Sequence, residues 1–174
     1  MNSRERMLAA INRQPVDRIP TDIWATGEVM AKLRAHFGES ADLAATLHID
    51  GFARTAPEYV GPPLPKVGPD ETVDFWGIRN RKTAHEGGAY LEQCFYPLAS
   101  AQTIDDLEAS RWPRADGFDY SGRRAKAAAG ARTQAVMCGY MAPFYFHNQL
   151  RGLEQSLVDP LAEPAFTHHL IGCI

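Results

Sequence analysis

Strand-like and helix-like segments alternate along this chain of 174 residues, and that alternation leaves few folds open. The order reads helix, strand, helix, strand, hairpin, helix, strand, helix. Parallel strands need long crossover connections, usually helices, so such an order argues for a parallel α/β sheet. Alternation alone does not separate an open sheet from a closed barrel.

Asn2 or Ser3 can cap a first helix, with Glu5 in its first turn and Met7, Leu8 and Ile11 on its apolar face. Arg18 to Trp24 predicts a short strand with Ile19 and Ile23 buried. A helix is expected from Thr26 to Phe37, with Val29, Met30, Leu33 and Phe37 sharing a face and Gly38 as its stop. Ser40 opens a short helix carrying Leu43 and Leu47, and Ile49 to Thr55 is the second strand. Residues 56–70 hold five prolines and read as loop. Thr72–Ile78 and Tyr90–Tyr96 predict a hairpin around Glu86-Gly87-Gly88. Thr103 caps a helix with Asp106 at its third position, and Trp112-Pro113 ends it. An Ala-rich helix spans Ser121 to Ala129, with Gly130 as its stop. Thr133 to Cys138 is the clearest buried strand. Gly139 to Pro143 turns it into a helix with Phe146, Leu150, Leu153 and Leu157 on one face, ended at Asp159-Pro160. Glu163-Pro164 starts the last helix, with Phe166, Leu170 and Ile174 facing inward.

Composition narrows the class of partner. Apolar residues make up 45% and charged residues 22% of the chain, as in an ordinary globular protein. Eighteen basic against 21 acidic residues give a net charge of −3, which offers no electrostatic attraction to nucleic acid or an anionic membrane. No apolar run approaches the roughly 20 residues of a membrane span. The Arg-rich start lacks the apolar core of a signal peptide. Cys94, Cys138 and Cys173 are odd in number and far apart, as expected for free thiols in a reducing cytoplasm.

Three segments carry a resemblance to a known family. The first is Ser3-Arg4-Glu5-Arg6-Met7-Leu8-Ala9-Ala10-Ile11-Asn12 with Pro15-Val16-Asp17-Arg18-Ile19-Pro20. The second is Asp74-Phe75-Trp76-Gly77, followed by Tyr96-Pro97-Leu98-Ala99 and Trp112-Pro113. The third is Gly139-Tyr140-Met141-Ala142-Pro143-Phe144. In this order and spacing they resemble the uroporphyrinogen decarboxylase superfamily, and the second segment is similar to its corrinoid methyltransferase-like branch. The resemblance implies a (β/α)₈ TIM barrel, a fold of about 250 residues. On that reading, residues 1–174 are expected to be the N-terminal part of one barrel domain, truncated at the C-terminus and carrying an inserted β-hairpin.

The sequence departs from the decarboxylase pattern at the site. Decarboxylases of this family carry two arginines after the first strand, where Ile23-Trp24-Ala25-Thr26-Gly27-Glu28 has none. Their catalytic aspartate follows the second strand, where Arg54-Thr55-Ala56-Pro57 stands. Their tyrosine, six residues beyond the proline, falls on Gln149. The methyltransferase branch holds zinc through a His-x-Cys pair and a later Cys in the C-terminal half. The resemblance therefore implies no cofactor within this chain, zinc through residues beyond it, and a corrinoid protein as partner.

Barrel active sites form where strands end, which selects the candidate residues. Arg54 suits a two-pronged grip on a carboxylate or phosphate, or a pairing with Asp50 or Glu58. Tyr140 can hydrogen-bond a substrate beside the Gly139 turn, or simply wall the barrel end. His147 has the intrinsic pKa for proton transfer, or is a solvated helix residue. Trp24 offers a stacking wall, or packs in the core, and Thr26 follows it in the same loop. His168-His169 point about 100° apart, so one metal cannot easily take both. His169 and Cys173 share a face but lack a third ligand.

The leading expectation is a fragment of a uroporphyrinogen decarboxylase superfamily enzyme acting on a small molecule. The family activity is decarboxylation of tetrapyrrole side chains in porphyrin biosynthesis. The departures weigh a zinc-dependent corrinoid or thiol methyltransferase-like relative above a working decarboxylase. A non-catalytic truncated product is the other alternative. With open sheet edges, it would form a homodimer, aggregate or stay loosely packed.

Overall fold

Helices open this chain with their own caps. Asn2 accepts from the Glu5 amide while Glu5 accepts from the Asn2 amide, a capping box that starts α1 (Ser3–Ile11). Thr26 caps α2 (Gly27–Phe37) and Asp42 caps α3 (Leu43–Thr46). The computed structural model describes residues 1–86, 88–139 and 142–174. It continues with β1 (Phe52–Thr55), β2 (Glu58–Tyr59), β3 (Glu71–Val73), β4 (Arg79–His85) and β5 (Gly88–Phe95). Then come α4 (Ile104–Glu108), β6 (Phe118–Asp119), α5 (Arg123–Gly130), β7 (Ala135–Cys138), α6 (Pro143–Arg151), α7 (Leu153–Ala162) and α8 (Pro164–Cys173). The fold is mixed α/β, with small sheets and no closed barrel among the described residues. No helix among them is long and apolar enough to cross a membrane.

The chain divides into two compact units, residues 1–58 with 119–139 and residues 59–118 with 140–174. In the first unit, β1 and β7 pair in parallel, Phe52 opposite Ala135 and Thr55 opposite Cys138. This is the parallel pairing that the alternation predicted. Helix α5 packs on both strands. A β-carbon added to Gly130 would lie 2.3 Å from the Ala53 β-carbon, so helix and strand touch where neither carries bulk. Gly130, expected as a helix stop, is the last residue of the helix and also its contact with the sheet.

Arg18 to Trp24 does not form the expected strand. Asp50 is 1% exposed, and its carboxylate accepts from the Thr21 amide, from both Arg18 amino groups and from Arg6. The Thr21 carbonyl in turn takes the Asp50 and Gly51 amides. These bonds replace a ladder over 18–24. Ile19 is 81% exposed rather than buried. The face expected on α2 holds no buried residue.

The second unit has a core of Ile78, Leu98, Ala101, Leu107, Leu150, Phe166 and Leu170, with Trp76, Trp112 and Ile174 against it. Its sheet is antiparallel in the order β3-β4-β5. The expected hairpin therefore shifts: Thr72–Ile78 is not one strand but β3 followed by a turn, and β4 is the strand that pairs β5. Asp74 makes that turn, accepting from the Trp76 amide at 2.9 Å and the Ile78 amide at 3.0 Å. Thr103 and Asp106 form the second capping box, starting α4.

The single helix expected from Pro143 to Asp159 is two. Gly152 breaks it at φ +89°, a backbone conformation side-chain-bearing residues rarely adopt. Phe146 and Leu150 stay with α6, while Leu153 and Leu157 on α7 are exposed. Helix α7 runs through Pro160 to Ala162.

Candidate functional site

The C-terminal ends of β1 and β7 gather the predicted residues of the first unit. Side chains alternate between the faces of a strand, so Ala53 and Thr55 share the α5 side with Val136 and Cys138. Arg54 and its register partner Met137 point to the other side. Arg54 is about half exposed, and its Nη2 donates to Asp22 Oδ2 at 3.1 Å. The same oxygen accepts from Trp24 Nε1 at 3.3 Å. The guanidinium lies over the Trp24 ring, 5.4 Å from its centroid, and Nη1 approaches Met137 Sδ at 3.3 Å. Arg54 and Trp24, predicted separately, are thus in contact. The partner of Arg54 is Asp22, not Asp50 or Glu58, because Asp50 is fully engaged by Arg6, Arg18 and Thr21.

Trp24 is 74% exposed, so it does not pack in the core. Thr26 serves as the cap of α2, its hydroxyl accepting from the Val29 amide at 3.4 Å. Gly139 follows β7 at φ +70°, and beyond its chain neighbours no described residue lies within 4 Å of where its side chain would be. Tyr140, with Met141 and Gly87, lies outside the described residues.

Arg123 escaped the sequence reading. It opens α5 and donates to the Cys138 thiol, its guanidinium 5.7 Å from the Tyr120 ring. The only signal available was its place in the first turn of a helix that returns to the end of β7. It sits on the helix side of the ladder, opposite Arg54.

His147 is neither solvated nor at a strand end. It is 1% exposed in the second unit, and Nε2 lies 3.2 Å from Asp159 Oδ2. Asp159 also accepts from Arg151 Nε at 2.8 Å and from Gln155 at 2.7 Å. Arg151 Nη1 donates onward to the Leu98 and Ala101 carbonyls. Burial pushes the Asp159 carboxyl up, but the hydrogen bonds from Arg151, Gln155 and His147 outweigh it and hold it at about 2. The cluster ties α6, α7 and the 98–101 turn together, so His147 has a structural place there.

Burial likewise opposes ionisation of Asp50, and the Thr21 amide with Arg6, Ser3 and Arg18 keeps its carboxyl below the usual range. Cys94, Cys138 and Cys173 are free thiols. Among the described residues, no three histidine, cysteine or carboxylate side chains converge as a metal would need. Compared with known protein families, with curated proteins and with solved structures, the chain matches none.

Proposed function

We propose that this chain belongs to the uroporphyrinogen decarboxylase superfamily and binds an anionic small molecule at the C-terminal end of β1 and β7. The observation that supports this reading is the setting of Arg54. It projects from the face of a parallel strand pair opposite the covering helix, at the strand's C-terminal end. In a β/α barrel that face turns inward and that end holds the active site. Asp22 and Trp24 preorganise the guanidinium, and its remaining N–H donors are accessible to a carboxylate or phosphate. Trp24 adds an apolar wall for a flat substrate.

Within the superfamily the reading favours the methyltransferase-like branch over a working decarboxylase. Arg54-Thr55-Ala56-Pro57 stands where the resemblance expects a decarboxylase's aspartate, and the loop before α2 has no arginine. A cation at that point would bind a substrate's anionic group but would not stabilise a protonated pyrrole. In a methyl transfer, Arg54 and Trp24 would orient the acceptor, with the zinc and the corrinoid protein contributed from outside this chain.

Titration calorimetry tests the reading with two anions, uroporphyrin and a small thiol carboxylate such as 2-mercaptopropionate. The expected result is binding of at least one, weakened about tenfold or more by Arg54→Gln, the loss of a charge-assisted contact. Methyl transfer from methylcobalamin to the thiol, against carbon dioxide release from uroporphyrinogen, separates the two branches. Binding that is indifferent to Arg54→Gln overturns the site.

A further inference from the structure

We propose that the second unit carries a separate binding site, for a small aromatic carboxylate, in the cavity beside the Asp74–Gly77 turn. The cavity measures about 410 Å³, within the range of small-molecule sites. Phe75, Trp76, Phe95, Leu98, Trp112 and Leu150 provide its apolar surface. All three motifs of the second family-like segment, Asp74-Phe75-Trp76-Gly77, Tyr96-Pro97-Leu98-Ala99 and Trp112-Pro113, contribute to its walls. None of the strand-end residues does, so this site is independent of the one built on Arg54.

The walls are held in place before any ligand arrives. Trp112 Nε1 donates to the Leu107 carbonyl at 2.7 Å. Trp76 meets Trp112 edge to face, with centroids 6.4 Å apart and planes at 88°. The Asp74 carboxylate fixes the backbone on either side of Gly77. A flat ring entering this cavity finds aromatic faces and edges already oriented, which removes much of the ordering cost of binding.

The charge around the cavity selects an anion. Lys66, Arg79 and Arg111 line it against the single carboxylate of Asp74. Arg79 lies over the Phe95 ring at 4.1 Å, a contact through its face that leaves its N–H edge available. No carboxylate among the described residues pairs with Arg79 or Lys66. Arg111 donates to the Tyr59 hydroxyl at 3.0 Å, a neutral partner. Asp74 is occupied by the Trp76 and Ile78 amides, and burial pushes its carboxyl up, which weakens its opposition to an anion. An apolar floor with a cationic rim fits an aromatic ring bearing one negative group.

Titration calorimetry with 2-naphthoate on the whole protein tests this, beside the neutral 2-naphthalenemethanol. In the Arg54→Gln protein, which lacks the strand-end cation, the expected result is one naphthoate bound per chain and the alcohol at least about tenfold weaker, the size of a lost charged contact. Arg79→Gln should weaken naphthoate about tenfold, and Lys66→Gln, at an exposed position, should weaken it less. Because the strand-end cation is absent from the Arg54→Gln protein, failure here is distinct from failure at the strand ends. Absence of binding at millimolar naphthoate, or equal affinity for the alcohol, overturns the proposal. The second comparison needs no variant, so it holds even where Arg79→Gln unfolds the protein.

Discussion

The two units solve the same problem with opposite materials. In the first, the buried side chains include Arg6, Asp50 and Thr55, and the buried apolar ones are Met7, Leu43 and Ala135. In the second, seven apolar residues form one continuous cluster, and the buried polar group of Arg151, Asp159 and His147 is set beside it. Each unit nonetheless places one buried aspartate where several donors converge. The difference lies in what each aspartate leaves behind if it is lost. Arg6 also bonds Asp17, at 2.6 Å and 2.9 Å, so removal of Asp50 leaves it paired. Arg151 and His147 have no second carboxylate among the described residues. A shared charge tolerates damage; an exclusive one does not.

The sharpest way to break this contrast is to delete both aspartates in turn. Asp159→Ala strands a buried guanidinium and should cost about 3–5 kcal/mol of unfolding free energy. Asp50→Ala should cost distinctly less, because Arg6 keeps Asp17 and Arg18 is partly exposed. Urea denaturation of the two variants side by side gives the order, and equal losses would refute the distinction.

Acid sharpens the same comparison without mutation. The folded carboxyl of Asp159, at about 2, lies below its unfolded value near 4. Its contribution is therefore full above about pH 4 and is lost as pH falls towards 2, amounting to about 2–3 kcal/mol. Asp50 acts in the same direction. Asp74 has the opposite sign: its raised carboxyl binds a proton more readily in the folded chain, so acid relieves it. Stability measured from pH 7 to pH 2 should fall steeply, and Asp159→Ala should flatten the curve.

A third effect belongs to the first unit. Gly130→Ala inserts a methyl group 2.3 Å from the Ala53 β-carbon and should cost about 1–3 kcal/mol as overpacking. Thermal unfolding reads it directly. The smallest effect concerns Arg54, whose pair with Asp22 is largely exposed. Arg54→Gln should change stability by less than about 1 kcal/mol while weakening the anion binding proposed for it. A larger loss would mean that Arg54 holds the fold and not a ligand.

The parts of the fold legible in the sequence are those fixed by neighbours along the chain. Both capping boxes, the strand ending at Cys138 and the helix from Pro164 follow from residues a few positions apart. Arg54 is legible as a candidate because strand ends are chemically privileged positions, whereas Trp24 is selected through a strand that does not form and meets Arg54 through the loop at Asp22. What stayed hidden depends on distant partners. Nothing near Thr21 announces that Asp50, 29 residues on, will take its amide and replace a strand pairing. The four- and three-residue spacing from Phe146 to Leu157 reads as one helix because periodicity does not register the positive φ at Gly152. His147 reads as a titratable surface residue until Asp159 and Arg151 close around it.

The contact between Gly130 and Ala53 also acts as a gauge. Ala53 is the immediate neighbour of Arg54, and the helix backbone rests on it without an intervening side chain. Any thickening at that point displaces the strand as a unit, and the displacement is read one residue later, where the guanidinium meets Trp24 and Asp22. Two small residues that do not touch the guanidinium thereby set the tolerance to which the strand-end cation is positioned. A methyl group added on the helix side would detune that cation without touching it.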